Sequence, residues 1–139
     1  MIFKYKDIEY YIIEAVFPAE ISFLIEHGWG NGYVRIADNH EFYGLDCDDI
    51  PVWIHGGLTY GSYRSNGVYG FDTAHYGDNI DRWNEDRVLD ETRWLAIQFH
   101  LRKSIDYDDY VENYRDDVLY NEKIHNREKK LERIILKNN

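Results

Sequence analysis

The chain has 139 residues, of which 44% are hydrophobic and 17% aromatic, so it can bury a core and does not have the composition of a disordered protein. Its formal net charge of −10 repels phosphate backbones, which argues against long nucleic acids and anionic membranes as partners. The single cysteine, Cys47, excludes an intrachain disulfide and a cysteine-based zinc site. No apolar run reaches the ~18 residues that span a bilayer, and no signal-peptide pattern is present, so we expect a cytoplasmic protein.

The composition changes near residue 84. All ten glycines and both prolines lie between residues 18 and 77, and nothing after residue 77 breaks a long helix. We therefore expect a single domain over residues 1–139, sheet-rich and glycine-rich over 1–84 and helical over 85–139. The predicted fold class is α+β, with a small, mainly antiparallel sheet followed by C-terminal helices.

Short strands joined by turns are predicted in the first part. Tyrosine and β-branched residues predict a strand over 8–17, and a short helix is expected over 20–27. Three further strands are predicted over 33–37, 52–55 and 68–72. The Asn66-Gly67 pair before the last of them is a strong hairpin signal.

The second part predicts helices. Asp90 or Thr92 is expected to cap a helix that runs to residue 101, and an acidic helix is expected over 107–121. Residues 121–137 form a basic amphipathic segment with an apolar stripe of Ile124, Leu131, Ile134 and Ile135. The acidic stretch 106–117 and this basic tail are natural partners, within one chain or between chains. Because a small monomer leaves the tail little to pack on, we expect a homo-oligomer, most simply a dimer.

The first stretch that can carry chemistry is His55-Gly56-Gly57-Leu58-Thr59-Tyr60. Glycines let backbone N–H groups approach a ligand, so the stretch predicts an anion or nucleotide site with His55 and Thr59 at its mouth. The alternative is a tight turn around a buried histidine. The pattern of a P-loop is missing.

The second stretch runs from Gly70 to Asp78 and places Asp72, His75 and Asp78 at intervals of three. In a compact loop these side chains converge, and they can then bind a metal, orient one another for acid–base catalysis or hydrogen-bond a ligand. The alternative is a polar loop whose groups satisfy one another. Together with His55 the set is large enough for a metal, but zinc-protease spacings are missing, so metal binding stays open.

Other residues add weaker signals. Arg64 lies between the two stretches and is the best candidate for contact with an anionic ligand, because basic residues are scarce in this part of the chain. Aromatic side chains near the glycine-rich turns, Trp53 and Tyr60 among them, can stack on a base or simply fill the core. The aspartates around Cys47 are expected to raise the pKa of its thiol, which makes it a poor nucleophile.

Taken in order, these stretches resemble a family of small phage and prophage proteins. The resemblance covers about residues 29 to 101, begins at Trp29-Gly-Asn-Gly-Tyr-Val, passes through His40 and Tyr43, and includes an HGGLTY-type stretch, a GFD-x-AH-x-GD-type stretch and a C-terminal helix. The chain departs from the pattern with Thr73 in place of a cysteine and with Val68-Tyr69 in place of a tryptophan-rich approach. The resemblance implies a phage setting, in which small acidic proteins often counter host defence.

Three functions are compatible with these observations. The first is an anti-defence protein that binds and sequesters a small nucleotide immune signal, with the ligand-binding residues Trp53, His55, Gly56, Gly57, Arg64, His75 and Asp78. A protein–protein inhibitor of a host enzyme is the third function, and it explains the acidic surface but not the two motifs. Neither the first nor the third function identifies a cofactor. The second function is a different kind of activity.

The second function is a phosphodiesterase or other hydrolase, metal-dependent or histidine-based, that cleaves a cyclic nucleotide. In this hypothesis His55 and His75 act as base and acid, and Asp72 orients one imidazole. Thr59 or Tyr60 would contact the phosphate.

Overall fold

A four-stranded antiparallel sheet and C-terminal helices form the fold in this computed structural model, which describes residues 1–22 and 24–138. The strands pair in chain order: β1 (Phe3–Tyr5), β2 (Ile8–Glu14), β3 (Gly30–Arg35) and β4 (Val68–Phe71). The helices are α1 (Ala19–Ser22), α2 (Glu85–Leu101), α3 (Tyr107–Asn113) and α4 (Arg115–Asn138). Within the described part of the chain, no helix is long and apolar enough to cross a membrane. The predicted α+β class is confirmed.

Helix α2 packs across one face of the sheet, and the core lies between them. Strand β2 shows the matching alternation, because Ile8 and Tyr10 are fully buried whereas Glu9 and Tyr11 are partly exposed. Gly32 in β3 allows the helix to come close, since a Cβ there would lie 2.1 Å from the hydroxyl oxygen of Thr92. The sheet and α2 thus form a rigid base for the loops above them.

Hydrogen bonds to Asp90 fix α3 and the start of α4 to α2. The Asp90 carboxylate accepts hydrogen bonds from Tyr107 Oη at 2.5 Å and Tyr110 Oη at 2.8 Å. It also accepts one from Arg115 Nη2 at 2.5 Å. Burial alone would raise the pKa of Asp90, but these hydrogen bonds outweigh burial and lower it. Asp90 therefore stays ionised among the helices.

A second polar contact joins the sheet to α4. Arg93 donates two hydrogen bonds to the Glu122 carboxylate, at 2.7 and 2.9 Å. Tyr10 Oη donates to the same carboxylate at 2.6 Å. Because both Arg93 and Tyr10 are anchored in the core layers, they hold α4 against the body at Glu122.

Helix α2 begins earlier than predicted. Its N-cap is Asn84, whose side chain accepts a hydrogen bond from the Arg87 backbone N–H at 3.0 Å, whereas Asp90 and Thr92 lie inside the helix. The cap prediction was therefore wrong, because an asparagine followed by two acidic residues starts the helix first. The predicted end at residue 101 is confirmed, and Arg102 follows it in the left-handed conformation.

The predicted strand over 52–55 is wrong, because this segment is an extended loop that pairs with side chains of α2. Gln98 Nε2 donates to the Trp53 carbonyl at 2.7 Å, and the Trp53 N–H donates to Gln98 Oε1 at 2.8 Å. The His55 N–H donates to Glu91 Oε1 at 3.0 Å. The Gln98 amide offers the donor and acceptor that a neighbouring strand would offer. A segment with the composition of a strand therefore packs against helix α2 and does not join the sheet.

The other strand predictions are correct in place but not in length. The observed strands β2, β3 and β4 cover parts of the segments predicted over 8–17, 33–37 and 68–72, and β1 was not predicted. The helix expected over 20–27 is reduced to Ala19–Ser22, with residue 23 outside the described residues. Asn66 and Gly67 both have positive φ, 53° and 82°, as a hairpin turn requires. The turn leads from a single bridge between Tyr60 and Gly70 into β4.

The helical tail is divided differently from the prediction. The helix is interrupted at Tyr114, between α3 and α4, so the single helix expected over 107–121 is two helices. The segment over 121–137 belongs to the same helix as Arg115. The interruption lies next to Arg115, whose guanidinium donates a hydrogen bond to Asp90 of α2.

We predict that Gln98→Met destabilises the protein by about 2–4 kcal/mol, because the Trp53 N–H and carbonyl lose their partners. Thr92→Val is the matched control on the same helix, since the Thr92 hydroxyl donates only to the Val88 carbonyl one turn away. The control is expected to cost less than about 1 kcal/mol. Urea unfolding measures both values, and equal losses would contradict the role of Gln98.

A second prediction concerns His40, which is buried and has both ring nitrogens engaged. Nδ1 accepts a hydrogen bond from the Phe42 N–H, so the proton lies on Nε2, which donates to the Phe99 carbonyl at 2.9 Å. Burial lowers the pKa of His40 below its ordinary 6.5. The unfolded chain therefore binds the proton more readily, and the stability contributed by His40 falls as pH drops below about 6.5.

The measurement is the free energy of unfolding of the wild type minus that of His40→Gln, followed between about pH 5 and 7.5. This difference isolates His40 from the other titrating groups, and it is expected to shrink as the pH falls. A difference that is constant with pH would show that His40 does not titrate with folding.

Candidate functional site

A cleft lies between the 52–57 loop and the first half of α2. Its volume is about 510 Å³. Three of the four tryptophans line it, together with one histidine, one arginine and one glutamate: Trp53, Trp83, Trp94, His55, Arg87 and Glu91. We refer to these six residues as the tryptophan cleft. A second depression of about 160 Å³ shares Arg87, Glu91 and Trp94 with it and extends along α2 to Tyr107.

Helix α2 supplies one wall because Arg87, Glu91 and Trp94 are spaced four and three residues apart, which places them on one face. Glu91 is 8% exposed and accepts the His55 N–H through Oε1. Among the described residues nothing hydrogen-bonds its other oxygen, Oε2. Burial raises the pKa of Glu91 to about 7, although the His55 N–H and Arg87 oppose the shift. Near neutral pH this carboxyl group can therefore either donate or accept a hydrogen bond.

His55 is held in place on two sides. Its ring lies 4.0 Å from the Trp83 ring between centroids, tilted by 30°. Its Nε2 lies 2.9 Å from both oxygens of Asp78, a nearly buried carboxylate. In the part of the chain that the structure describes, no hydrogen bond engages its other nitrogen, Nδ1. A carboxylate behind an imidazole fixes its tautomer and orientation, as in acid–base and metal sites.

His75 lies behind His55 and not in the cleft. The two rings meet edge to face, with centroids 5.4 Å apart. His75 Nε2 is shielded from solvent and lies 3.1 Å from Asp72 Oδ1, without the alignment of a hydrogen bond. Gly56, with φ of 67°, closes over this nitrogen, since a Cβ there would lie 2.2 Å from it. A ligand in the cleft therefore cannot reach His75 Nε2.

The structure brings some of the predicted site residues together. Trp53, His55 and Gly57 line the cleft, and Asp78 lies directly behind His55. Asp78 Oδ2 also accepts the His75 N–H at 2.9 Å, which ties the loop to the site. The two motifs thus meet as two linked histidine–aspartate pairs and not as one convergent cluster.

Three predicted residues do not join this site. Thr59, Tyr60 and Arg64 line a separate depression of about 320 Å³ next to Cys47. The chain turns back after Gly57, and the backbone N–H groups of Thr59 and Tyr60 both donate to the Gly70 carbonyl on β4. These three residues therefore lie apart from His55, and their contact with a ligand stays a prediction.

Sequence reasoning missed Trp83, Arg87, Glu91 and Trp94. The Arg87 guanidinium lies 4.0 Å from the Trp83 ring centroid, so Trp83 is covered by both Arg87 and His55. A usable signal was present, because Glu91 and Gln98 are polar residues seven apart on the face of α2 that is otherwise buried and apolar. Buried polar side chains on such a face require partners from elsewhere in the chain.

Among the described residues, one group of side chains has its ligand atoms close enough together to hold a metal ion. Asp46, Cys47 and Asp48 come within 4.8 Å of one another in an exposed turn. Burial, followed by the charges of Asp46 and Asp48, raises the pKa of the Cys47 thiol, as the sequence indicated. His55, Asp72, His75 and Asp78 are not among the clustered groups of the described residues, so the metal alternative gains no geometric support there.

No protein-family model, curated protein or solved structure matches this chain. The resemblance to phage proteins that the motifs suggested therefore stays a prediction. What the chain does is inferred from the chemistry of the tryptophan cleft.

We predict that the Glu91 carboxyl titrates with a midpoint near 7. Carbon-13 NMR of glutamate-labelled protein measures this midpoint directly, and Glu91→Gln assigns the signal by removing it. A raised pKa in the fold also means that the stability from neutral Glu91 is lost as pH rises from about 4.5 through 7. Glu91→Gln should therefore gain stability over the wild type across that range. A midpoint near 4.5, or no relative gain, would contradict the environment described for Glu91.

Proposed function

We propose that the chain binds a small nucleotide in the tryptophan cleft and sequesters it without converting it. The observation that carries this proposal is the composition of the cleft, in which aromatic rings, a guanidinium and a partly protonated carboxyl group face one space. Aromatic faces stack on nucleobases. A guanidinium binds phosphate, and a carboxyl group hydrogen-bonds the edge of a base.

The individual residues suggest how the ligand is held. Trp53 is 60% exposed and offers an open face for stacking, whereas Trp83 is already covered by Arg87 and His55. Arg87 is the cation of the cleft and can contact phosphate. Glu91 lines the cleft with Oε2 unbonded among the described residues, and this oxygen can contact the edge of a nucleobase. These three residues are the binding residues that we assign.

Size and charge support a small ligand. The cleft volume of about 510 Å³ falls within the roughly 300–1,000 Å³ of small-molecule sites. The net charge of −10 disfavours a long phosphate chain but leaves room for a single anion next to Arg87. In the phage setting that the motifs suggest, the protein would act in the host cytoplasm by withdrawing an immune signal.

Hydrolysis of the nucleotide is the second candidate, and the His55–Asp78 pair favours it. An imidazole held by a buried carboxylate is suited to act as a general base. The acid would then be Glu91 and not His75, because His75 Nε2 is closed off by Gly56. In this candidate His55 takes the proton from the attacking water or hydroxyl, and neutral Glu91 gives one to the leaving oxygen.

The test is titration of the protein with cyclic and ADP-ribose-type nucleotides, followed by tryptophan emission. We expect one class to shift the emission, and we expect Trp53→Leu and Arg87→Gln each to weaken its binding at least about tenfold, because each removes a main contact. Arg64→Gln is the matched control, since Arg64 lies in the separate depression. If no nucleotide binds, or if the control weakens binding as much, the proposal fails.

Chromatography of the mixture after heating separates the two candidates. Ligand that is recovered intact supports sequestration. A new product supports hydrolysis, and turnover should then be lost in His55→Ala and kept in Arg64→Gln.

A further inference from the structure

The second half of α4 presents an apolar stripe away from the body. The stripe consists of five residues spaced four, seven, three and one apart: Tyr120, Ile124, Leu131, Ile134 and Ile135. All five are exposed, by 36% to 62%. Val118 and Glu122, the buried residues of α4, each lie two positions from Tyr120, close to half a turn around the helix. The stripe therefore faces the solvent opposite the side that packs on the body.

The charges of this region are separated along its length. Residues 106–117 carry six acidic side chains and one arginine, whereas residues 122–138 carry six basic side chains and three glutamates. We call these the acidic end and the basic end. None of the six basic side chains of the basic end forms an ion pair with any residue that the structure describes. The charges of the basic end are thus available for contact with a second copy.

Helix α4 is continuous over 24 residues, about 36 Å long, and its basic end points away from α3. Two copies with antiparallel α4 helices can pair opposite charges along the stripe. Arg127 and Glu128 occupy the gap between Ile124 and Leu131, and an antiparallel partner sets each Arg127 opposite a Glu128 and each Lys123 opposite a Glu132 of the other copy. A parallel pair would place like charges side by side along the whole helix, and its helix dipoles would also oppose pairing.

We propose that two copies of the chain pair through antiparallel α4 helices, with the five stripe residues as the contact. Centring the pair between Arg127 and Glu128 sets Tyr120 opposite Ile135 of the second copy and Ile124 opposite Leu131 of the second copy. The contact is then the same on both copies, as a twofold dimer requires. It leaves the tryptophan cleft free, and it is independent of what that cleft binds.

Sedimentation equilibrium of the full chain at rising concentration tests the pairing. We expect a dimer that weakens as salt rises, because attraction between opposite charges contributes to it. Leu131→Glu should weaken the dimer at least about tenfold, since it places a charge in the contact. Leu136→Glu is the matched control, because Leu136 is 76% exposed on the same turn but lies off the stripe. Its dimer should persist.

Disulfide trapping tests the direction. In a Cys47→Ser background, chains with Ile124→Cys and chains with Leu131→Cys are mixed and oxidised. An antiparallel pair gives mainly the mixed disulfide, whereas a parallel pair gives mainly disulfides between identical chains. A monomer up to about 1 mM, a dimer that resists Leu131→Glu, or a parallel trapping pattern would each overturn the proposal.

Discussion

The contact between α2 and the 53–55 segment determines where this molecule can bind anything. Gln98 and Glu91 use their side chains to satisfy three backbone groups of Trp53 and His55. Without them, those groups would have no partner, and an unpaired buried backbone group is costly. The contact holds the loop above the helix instead of at the sheet edge, so a cleft remains between them. Trp53 and His55 take their positions from that loop.

Glu91 holds the loop through a hydrogen bond, and its buried position disfavours the ionised form of the same carboxyl group. One oxygen holds the loop, and burial of the carboxyl group raises its pKa to about 7. The other oxygen has no hydrogen bond among the described residues and, in the proposed function, contacts the ligand. A fully ionised glutamate at this depth would be expensive to bury, and a glutamine would hold the loop but lose the ability to change protonation state. The same buried position therefore gives the cleft both its shape and its response to pH.

Local features of the sequence predicted the fold class and the main strands and helices. The aromatic and β-branched residues around Tyr10, and the lack of glycine and proline after residue 77, act through neighbours in sequence. The errors come from contacts between distant residues. Segment 52–55 has a strand-like composition, but Gln98, 45 residues away from Trp53, decides its hydrogen bonds. The interruption of the helix at Tyr114 lies next to Arg115, which hydrogen-bonds Asp90, a residue 25 positions earlier in the chain. For the site, the motifs located His55 and Asp78, whereas the spacing of Glu91 and Gln98 marked two buried polar residues on α2 without indicating the distant loop that they bind.

The attachment of α4 has an evolutionary consequence. Glu122 is the last residue of α4 that the structure buries, and its carboxylate holds Arg93 and Tyr10. Residues beyond it do not contribute to the cleft. Under the proposed function, selection for ligand recognition acts on the residues up to Glu122, whereas the stretch beyond it is constrained by the proposed pairing of two copies. Exchange of that stretch would therefore alter pairing and leave the cleft as it is.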